Sequence, residues 1–427
     1  MSTNDSNRAH YRGALIVITS IFFMWGFLTS LNDILIPHLK AVFSLNYTQT
    51  MLIQFTFFGA YFIMSLPAGK VVAKLGYKNS ISLGLLIAGV GAVMFFPAAK
   101  APSYPLFLTA LFVLASGITL LQVAANPYVS LLGPETSSSS RLNLAQAFNS
   151  LGTTLAPKFG GLLILSGTVL GATELAQMSA ADQAAYKLQQ AQMVQYPYLA
   201  LAVVLALLAV LIFFWRLPNF KDQARDDTDD NLSFGEALRH RHVLFGVIGI
   251  FVYVGAEVSI GSFLINYISL PDIGNMTESQ AANYVAYYWG GAMVGRFIGS
   301  AILQRVSPGL LLGLFALVAA LLTLTTMLTS GHLAMWSIVA IGLFNSIMFP
   351  TIFTLGIARL GPLTSKASSL LIMAIVGGAI IPLAQGALAD SLGIHHAFIL
   401  PLLCYLYIAF YGFKGSKVLN PVTTGSR

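Results

Sequence analysis

Charged residues are scarce in this sequence. Only 9% of the 427 residues are Asp, Glu, Lys or Arg, whereas 56% are hydrophobic. A soluble protein carries about 25% charged residues, because its surface faces water. This chain cannot cover a water-facing surface of that kind. The composition therefore excludes an ordinary soluble protein and predicts that most of the outer surface faces lipid hydrocarbon.

Cysteine and nucleotide-binding motifs are also scarce or missing. Cys404 is the single cysteine and lies in an apolar run, so the sequence excludes an intramolecular disulfide framework and a cysteine-based metal cluster. The P-loop pattern G-x-x-x-x-G-K-[ST] does not occur. Any energy-requiring process must therefore draw on an ion gradient or on a solute's own gradient.

Long apolar runs, in contrast, fill most of the chain. A bilayer core of about 30 Å is crossed by about 20 helical residues. By this criterion a first set of spanning helices is predicted near 13–37, 48–73, 79–99, 104–133, 142–170 and 196–217. A second set is predicted near 243–270, 279–304, 308–329, 333–359, 366–390 and 395–414. The sequence thus predicts an all-α polytopic membrane protein with twelve transmembrane helices.

Two polar stretches interrupt the apolar runs. The longer one, 221–242, contains KDQARDDTDDN and RHRH and separates the two sets of helices. We therefore expect an N-terminal six-helix bundle over 1–217, a cytoplasmic linker over 218–242 and a C-terminal six-helix bundle over 243–427. The second polar stretch, near 173–195, is predicted to be a loop between the fifth and sixth helices.

The basic residues predict an orientation. With the N-terminus in the cytoplasm, the inner side carries eighteen basic residues, and Arg296 and Arg305 are counted among them. The outer side carries only four: Lys40, Lys100, Lys158 and Lys187. This asymmetry is the positive-inside pattern and predicts that both termini are cytoplasmic. It also accounts for the net charge of +7 without a nucleic-acid partner.

The two sets of helices repeat each other. Arg141, Gly152, Pro157 and Gly161 recur as Lys366, Gly377, Pro382 and Gly386, each shifted by 225 residues. The fourth and tenth helices also both end in Leu-Gly-Pro, at 132–134 and 360–362. Two similar halves in one membrane chain are typical of secondary transporters, which hold the substrate between the halves.

Two acidic residues lie inside predicted membrane helices. Asp33 is in the first helix and Glu257 is near the middle of the seventh, and neither has a basic residue one turn away in the sequence. A charge at the bilayer centre costs about 2.5–3.5 kcal/mol on insertion scales. Binding of a proton or another cation would remove that charge, so both residues are candidate cation-coupling sites. The alternative is a carboxylate that hydrogen-bonds a neighbouring helix or extends to the interface.

Carboxamides form a second group of candidates. Gln122 and Asn126 lie one turn apart, as do Asn283 and Tyr287, while Gln146, Asn149 and Asn143 follow one side of the fifth helix. Carboxamides offer paired donors and acceptors that suit sugar hydroxyls. They also commonly bond across packed membrane helices, which is the structural alternative. The candidate substrate-binding residues are Asn32, Gln54, Gln122, Asn126, Gln146, Asn149, Asn283, Tyr287 and Asn345.

Several segments resemble one transporter family. GKVVAKLGYK (69–78) and GRFIGSAILQR (295–305) resemble the loop motif of the major facilitator superfamily, with Ala73 where an aspartate is common. More specific are NDILIPHL (32–39), LQVAANPYVSLLGPE (121–135), RLNLAQAFNSLG (141–152), YVGAE (253–257) and FPTIFTLGI (349–357). Together they resemble the fucose–galactose–glucose:cation symporters of that superfamily, across essentially all twelve helices.

This resemblance implies two pseudo-symmetric six-helix bundles that alternate around a central sugar site. It implies cation coupling at Asp33 and sugar contacts at Gln146 and Asn149. Fucose transporters of this branch have a glutamate at the position of Gln122 and a glutamine at that of Glu257. The arrangement in this chain is similar to that of the bacterial glucose/galactose transporters.

The resulting expectation is a cation-coupled hexose importer of the bacterial inner membrane, for a sugar such as glucose or galactose, working by alternating access. No catalytic residue, resident metal or cofactor is expected apart from a coupling ion, H⁺ or Na⁺, and the protein is expected to be a monomer in lipid. The alternatives are an exporter of drugs or sugars, or an importer of fucose or N-acetylglucosamine. A membrane enzyme or a sensor would need a catalytic constellation or an added domain, and neither is evident.

Overall fold

The computed structural model describes residues 13–30, 43, 47–100, 102–163, 177–215, 217–218 and 233–419. Side chains at 47–51, 157–163, 184, 278, 279 and 282 are outside the description. The described part is almost entirely helical and contains no strand.

The described residues form twelve long helices, here α1 to α12, which follow the predicted segments in order. In the first half they are α1 (Gly13–Ser30), α2 (47–75), α3 (77–100), α4 (Tyr104–Leu131), α5 (Ser138–Leu163) and α6 (Gln195–Phe214). In the second half they are α7 (Arg241–Ile268), α8 (Glu278–Ile302), α9 (Pro308–Leu328), α10 (Gly331–Gly356), α11 (Gly361–Leu392) and α12 (Ile394–Gly415). The prediction of an all-α fold with twelve membrane helices is confirmed.

Not all of these helices are equally apolar. Nine stretches of the described chain are long and apolar enough to span a membrane by length and composition. One of them contains both α2 and α3, which meet at Gly76, whose φ of 77° ends the regular helix between them. The two helices that fall outside the nine stretches are α5 and α8. These two more polar helices pack against each other between the halves.

The loop prediction for 173–195 is wrong in its centre, where a helix spans Ala180–Gln192. Its start is capped by Ser179, whose hydroxyl accepts a hydrogen bond from the Asp182 amide. Alanine and glutamine, which favour helices, fill much of this segment. The segment is polar because it lies at a surface, so low hydropathy was a poor guide to its secondary structure. A second short helix, Phe234–Arg239, lies within the predicted linker.

The sequence repeat corresponds to a repeated helix crossing. A side chain at Gly152 of α5 would come 2.2 Å from the Phe23 carbonyl of α1. At the equivalent position in the second half, a side chain at Gly377 of α11 would come 2.0 Å from the Phe251 carbonyl of α7. Each crossing therefore requires a glycine at this position, because a side chain would hold the two helix backbones apart. The two Leu-Gly-Pro turns are also alike, since Gly133 and Gly361 both have positive φ, at 135° and 51°.

The two halves contact each other at the side where α5 and α11 begin, which is called the inner side below. Ser139 Oγ of α5 lies 2.6 Å from Thr354 Oγ1 of α10. One turn further along α5, Asn143 donates a hydrogen bond of 3.3 Å to Thr351 Oγ1. Direct bonds between the halves therefore close the inner side in this structure.

Candidate functional site

Three of the predicted carboxamides form one cluster in the first half, together with Tyr61 of α2. Gln122 Nε2 donates a 2.7 Å hydrogen bond to Tyr61 Oη, and Gln146 Nε2 is 3.5 Å from Asn126 Oδ1. Gln122, Asn126 and Gln146 are all buried. The predicted spacing on α4 and α5 thus brings these side chains to the same place, and Tyr61 is a member that the sequence analysis missed.

This cluster keeps hydrogen-bonding capacity. Asn126 Nδ2 is buried and has no hydrogen-bond partner in the described structure, and the same is true of Asn143 Oδ1 one turn before Gln146. A buried polar group without a partner costs about 1–3 kcal/mol. A polar molecule that forms a hydrogen bond with such a group removes this cost. The arrangement therefore suits a hydroxyl-bearing solute better than permanent helix pairing alone.

Asn149 lies on the neighbouring part of α5 and is tied to α1. Its Nδ2 donates a 3.0 Å hydrogen bond to the Phe22 carbonyl. The close crossing of α1 and α5 makes this contact possible, because a side chain at Gly26 would come 2.0 Å from the Asn149 carbonyl. The amide oxygen of Asn149 remains the group that could accept a bond from a substrate.

A second polar cluster surrounds Glu257 in the other half. Tyr253 Oη lies 2.8 Å from Glu257 Oε1 and 3.0 Å from the Asn345 carbonyl, although it has a single proton to donate. Asn345 Nδ2 donates to Tyr288 Oη at 2.8 Å, and Tyr288 Oη is 3.4 Å from the Glu257 carbonyl. Glu257 is thus held by hydroxyl and amide groups inside the second bundle.

The basic partner of Glu257 is Arg296. Arg296 Nη2 lies 4.0 Å from Glu257 Oε1, and both side chains are largely buried, at 12% and 13% exposure. The assignment of Arg296 to the basic residues of the inner loops is therefore wrong, because the residue lies within α8 and turns inward. Its distance from Glu257 in the sequence hides the pairing, which arises only when α7 and α8 pack together.

The remaining predicted site residues are placed differently. Asn32 and Asp33 lie outside the described residues. Gln54 is partly buried on α2, whereas Asn283 is exposed on α8. Tyr287 is 60% exposed and packs against the Tyr284 and Trp336 rings rather than against the cluster around Glu257.

Among the described residues, no group of three His, Cys, Asp or Glu side chains could hold a metal ion.

A cavity of about 590 Å³ lies at the inner side between the two Leu-Gly-Pro turns. Glu135 and Arg359 line it and form a 3.3 Å ion pair between the halves, but both are more than half exposed. Exposed pairs contribute about 0–1 kcal/mol, so this one adds little to closure.

Comparison with known proteins accounts for this arrangement of two helical halves around polar clusters. The sequence pattern of the Major Facilitator Superfamily matches residues 16–375. The chain belongs to this superfamily. Its membership explains the repeated helix crossings, which in a Major Facilitator Superfamily protein relate two halves of one transporter.

Relatives match along nearly the whole chain. A glucose/galactose transporter of Brucella abortus is 55% identical over 98% of this chain and 97% of its own length. The L-fucose-proton symporter of Escherichia coli is 38% identical over 95% of this chain and 93% of its own length. The crystal structure of a Major Facilitator Superfamily transporter, FucP, in the outward conformation matches with a TM-score of 0.87 and 38% identity, over 94% of this chain and 98% of that one. The chain is thus similar to bacterial multi-pass sugar transporters.

Proposed function

We propose that this chain is a proton-coupled symporter that imports a hexose such as glucose or galactose across the bacterial inner membrane, with both termini in the cytoplasm. The observation that carries the proposal is the buried carboxylate of Glu257, surrounded by hydroxyl groups and placed beside Arg296. The similarity to proteins named glucose/galactose transporter and L-fucose-proton symporter supports a sugar as the substrate and a proton as the coupling ion.

Glu257 supplies the coupling group. A buried carboxylate is unfavourable in a bilayer interior, and protonation removes its charge. In the outward-open protein a proton would bind Glu257 and a sugar would engage Gln122, Asn126 and Gln146. The neutral, loaded protein could then change conformation more readily than one with an extra buried charge. Coupling is the difference in proton affinity between the two conformations.

The surroundings of Glu257 favour a proton over a sodium ion. Sodium requires several oxygen ligands, and in transporters these commonly include exposed backbone carbonyls. The Arg296 guanidinium opposes any added positive charge at Glu257, a proton included, so the number of oxygen ligands is what separates the two ions. A proton needs only one carboxylate oxygen and Tyr253 can accept its hydrogen bond.

The experiment is sugar uptake into proteoliposomes that contain the purified protein. A panel of glucose, galactose, fucose and N-acetylglucosamine is tested under an imposed proton gradient and, separately, under a sodium gradient. We expect glucose or galactose to accumulate under the proton gradient and accumulation to stop when a protonophore is added. Accumulation driven only by sodium, or equilibration that no gradient changes, would contradict the proposal. Transport directed only outward would instead favour the exporter alternative.

A further inference from the structure

Arg296 is bonded to both halves of the protein. Its Nε donates to the Ser346 carbonyl of α10 at 3.1 Å, within its own half. Its Nη1 donates to the Gln146 carbonyl of α5 at 3.4 Å and forms a short hydrogen bond with Ser150 Oγ, also of α5. The third nitrogen, Nη2, faces Glu257 at 4.0 Å, beyond hydrogen-bond distance. One planar cation therefore has acceptors in the first half and a carboxylate in the second.

This position is particular to the second half. Within the repeated motif, Gly295-Arg296 corresponds to Gly69-Lys70 in the first half. Lys70 is exposed on α2, whereas the Arg296 side chain is 12% exposed. The same motif position thus carries a surface cation in one half and a buried, bonded cation in the other. A general membrane-surface role does not explain Arg296.

In the proposed transport cycle, opening of the inner side separates α5 from α8, which belong to different halves, and breaks the bonds from Arg296 to Ser150 and Gln146. A buried guanidinium that loses two acceptors requires another one. Glu257 is the carboxylate beside it, and an ionised carboxylate binds a guanidinium far better than a protonated one does. Among the described residues, the other titratable groups that interact with Glu257 are the hydroxyls of Tyr253, Tyr288 and Tyr405. None of these carries a charge that could replace the carboxylate.

We propose that Arg296 is a positioning residue that exchanges partners during transport. With the inner side closed, its guanidinium binds Ser150 and Gln146; with the inner side open, it binds Glu257 and displaces the coupling proton. In that step the carboxyl O–H bond of Glu257 breaks, its proton passes to water at the inner side, and the carboxylate pairs with Arg296. The inference rests on the proposed function, which assigns the coupling proton to Glu257.

The test measures opening directly rather than transport. Ser365 is buried at the start of α11, and its carbonyl faces Gly69 of the other half. A Ser365→Cys probe in a Cys404→Ser background would react with an impermeant thiol reagent, added from the inner side, only when that side opens. The reaction rate is compared with and without Glu257→Gln at one fixed, alkaline pH. The comparison is made in the wild-type, Ser150→Ala and Ser140→Ala backgrounds.

Ser140→Ala is the matched control, because Ser140 Oγ also bonds across the halves, to the Ser300 carbonyl at 2.7 Å, and its hydrogen-bond partners in the described structure, both on Ser300, carry no charge. We expect Glu257→Gln to lower the reaction rate about ten-fold in the wild-type and Ser140→Ala backgrounds, the size expected for loss of a hydrogen bond to a charged group. In Ser150→Ala the freed guanidinium can pair with Glu257 before opening. Glu257→Gln should therefore change the rate less than about two-fold there.

An equal effect of Glu257→Gln in all three backgrounds, or no effect in any of them, would overturn the proposal. Arg296→Gln should abolish the effect as well, and the serine variants keep the test decisive if that variant does not fold. Proton-driven uptake by the wild type is measured in the same liposomes. If protons drive uptake but Glu257→Gln changes the reaction rate equally in all three backgrounds, only the role of Arg296 is contradicted. If protons drive no uptake, the proposed function itself is contradicted.

Discussion

At the residue scale, the hydroxyl of Tyr253 is shared between two acceptors, Glu257 Oε1 and the Asn345 carbonyl. With Glu257 ionised, the Tyr253 proton is needed by the carboxylate. With Glu257 protonated, the carboxyl group donates to Tyr253, whose own proton is then free for the Asn345 carbonyl. The Tyr253 proton can thus follow the charge of Glu257 by turning between these two acceptors.

The substitution Glu257→Gln should separate accumulation from exchange. Glutamine has nearly the shape of a protonated glutamate but cannot release a proton, so the loaded protein can still change conformation. We expect the gradient to drive no accumulation above equilibrium, whereas counterflow of sugar between preloaded liposomes and medium persists at a reduced rate. Normal accumulation by this variant would remove Glu257 from the coupling step. The same pair of assays applied to Asp33→Asn tests the other predicted coupling residue.

The substitution Asn149→Ala should weaken sugar binding about ten-fold, the cost of one lost hydrogen bond to a buried group. It also removes a bond between α1 and α5, so a packing control is needed. Ser30→Ala provides it, because Ser30 Oγ donates to the Thr153 carbonyl across the same helix pair at 3.1 Å. Titration calorimetry should show weaker binding for Asn149→Ala only. Equal affinities for the two variants would place the sugar elsewhere.

The sequence predicted part of the candidate site and missed the rest for an identifiable reason. Gln122 and Asn126 could be predicted because carboxamides stand out in the apolar helix α4, and Gln146 because it follows one side of α5 with Asn143 and Asn149. Tyr288 was missed in favour of its neighbour Tyr287. Helices with apolar residues on every side give no periodic signal that tells the lipid face from the interior.

Tyr253 had a usable signal, since it lies one turn before Glu257 in the same helix. Arg296 had none. A basic residue in a motif that usually lies at a membrane surface was assigned to that surface, and only the packing of α8 against α5 and α7 reveals its position.

At the element scale, the crossings of α1 with α5 and of α7 with α11 depend on glycine. Gly152→Ala would put a methyl group 2.2 Å from the Phe23 carbonyl, so the helices must separate. We expect the free energy of unfolding to fall by about 1–3 kcal/mol, which should appear as a lower midpoint of thermal unfolding in detergent. Gly59→Ala is the control, because a side chain there meets nothing within 4 Å. If both variants melt alike, the crossing does not require this glycine.

The helices themselves were largely predictable because bilayer thickness sets their length and the lipid sets their composition. The breaks inside α10 and α11 were not predicted. Residues 346–347 interrupt α10, and a turn of tighter helix at Ala374–Val376 interrupts α11. Such local changes of winding leave hydropathy unchanged, so the sequence pattern does not report them.

At the scale of the whole molecule, the contact between Ser139 and Thr354 closes the inner side. A double cysteine variant at these two positions, with Cys404→Ser, should form a disulfide because the native oxygens lie 2.6 Å apart. We expect oxidation to stop uptake and a reductant to restore it, because alternating access requires this contact to break. The single cysteine variants control for the substitutions. Full uptake by protein shown to be cross-linked would contradict inner-side opening at this contact.

The polar character of α5 and α8 has a consequence for synthesis of the protein. Within the described residues, neither helix is among the nine stretches that qualify as membrane spans by length and composition. A translocon releases a segment into lipid according to its hydrophobicity. During synthesis α5 and α8 would therefore enter the bilayer in company with earlier helices rather than singly. Further polar substitutions on these two helices should reduce the yield of inserted protein before they affect the finished transporter.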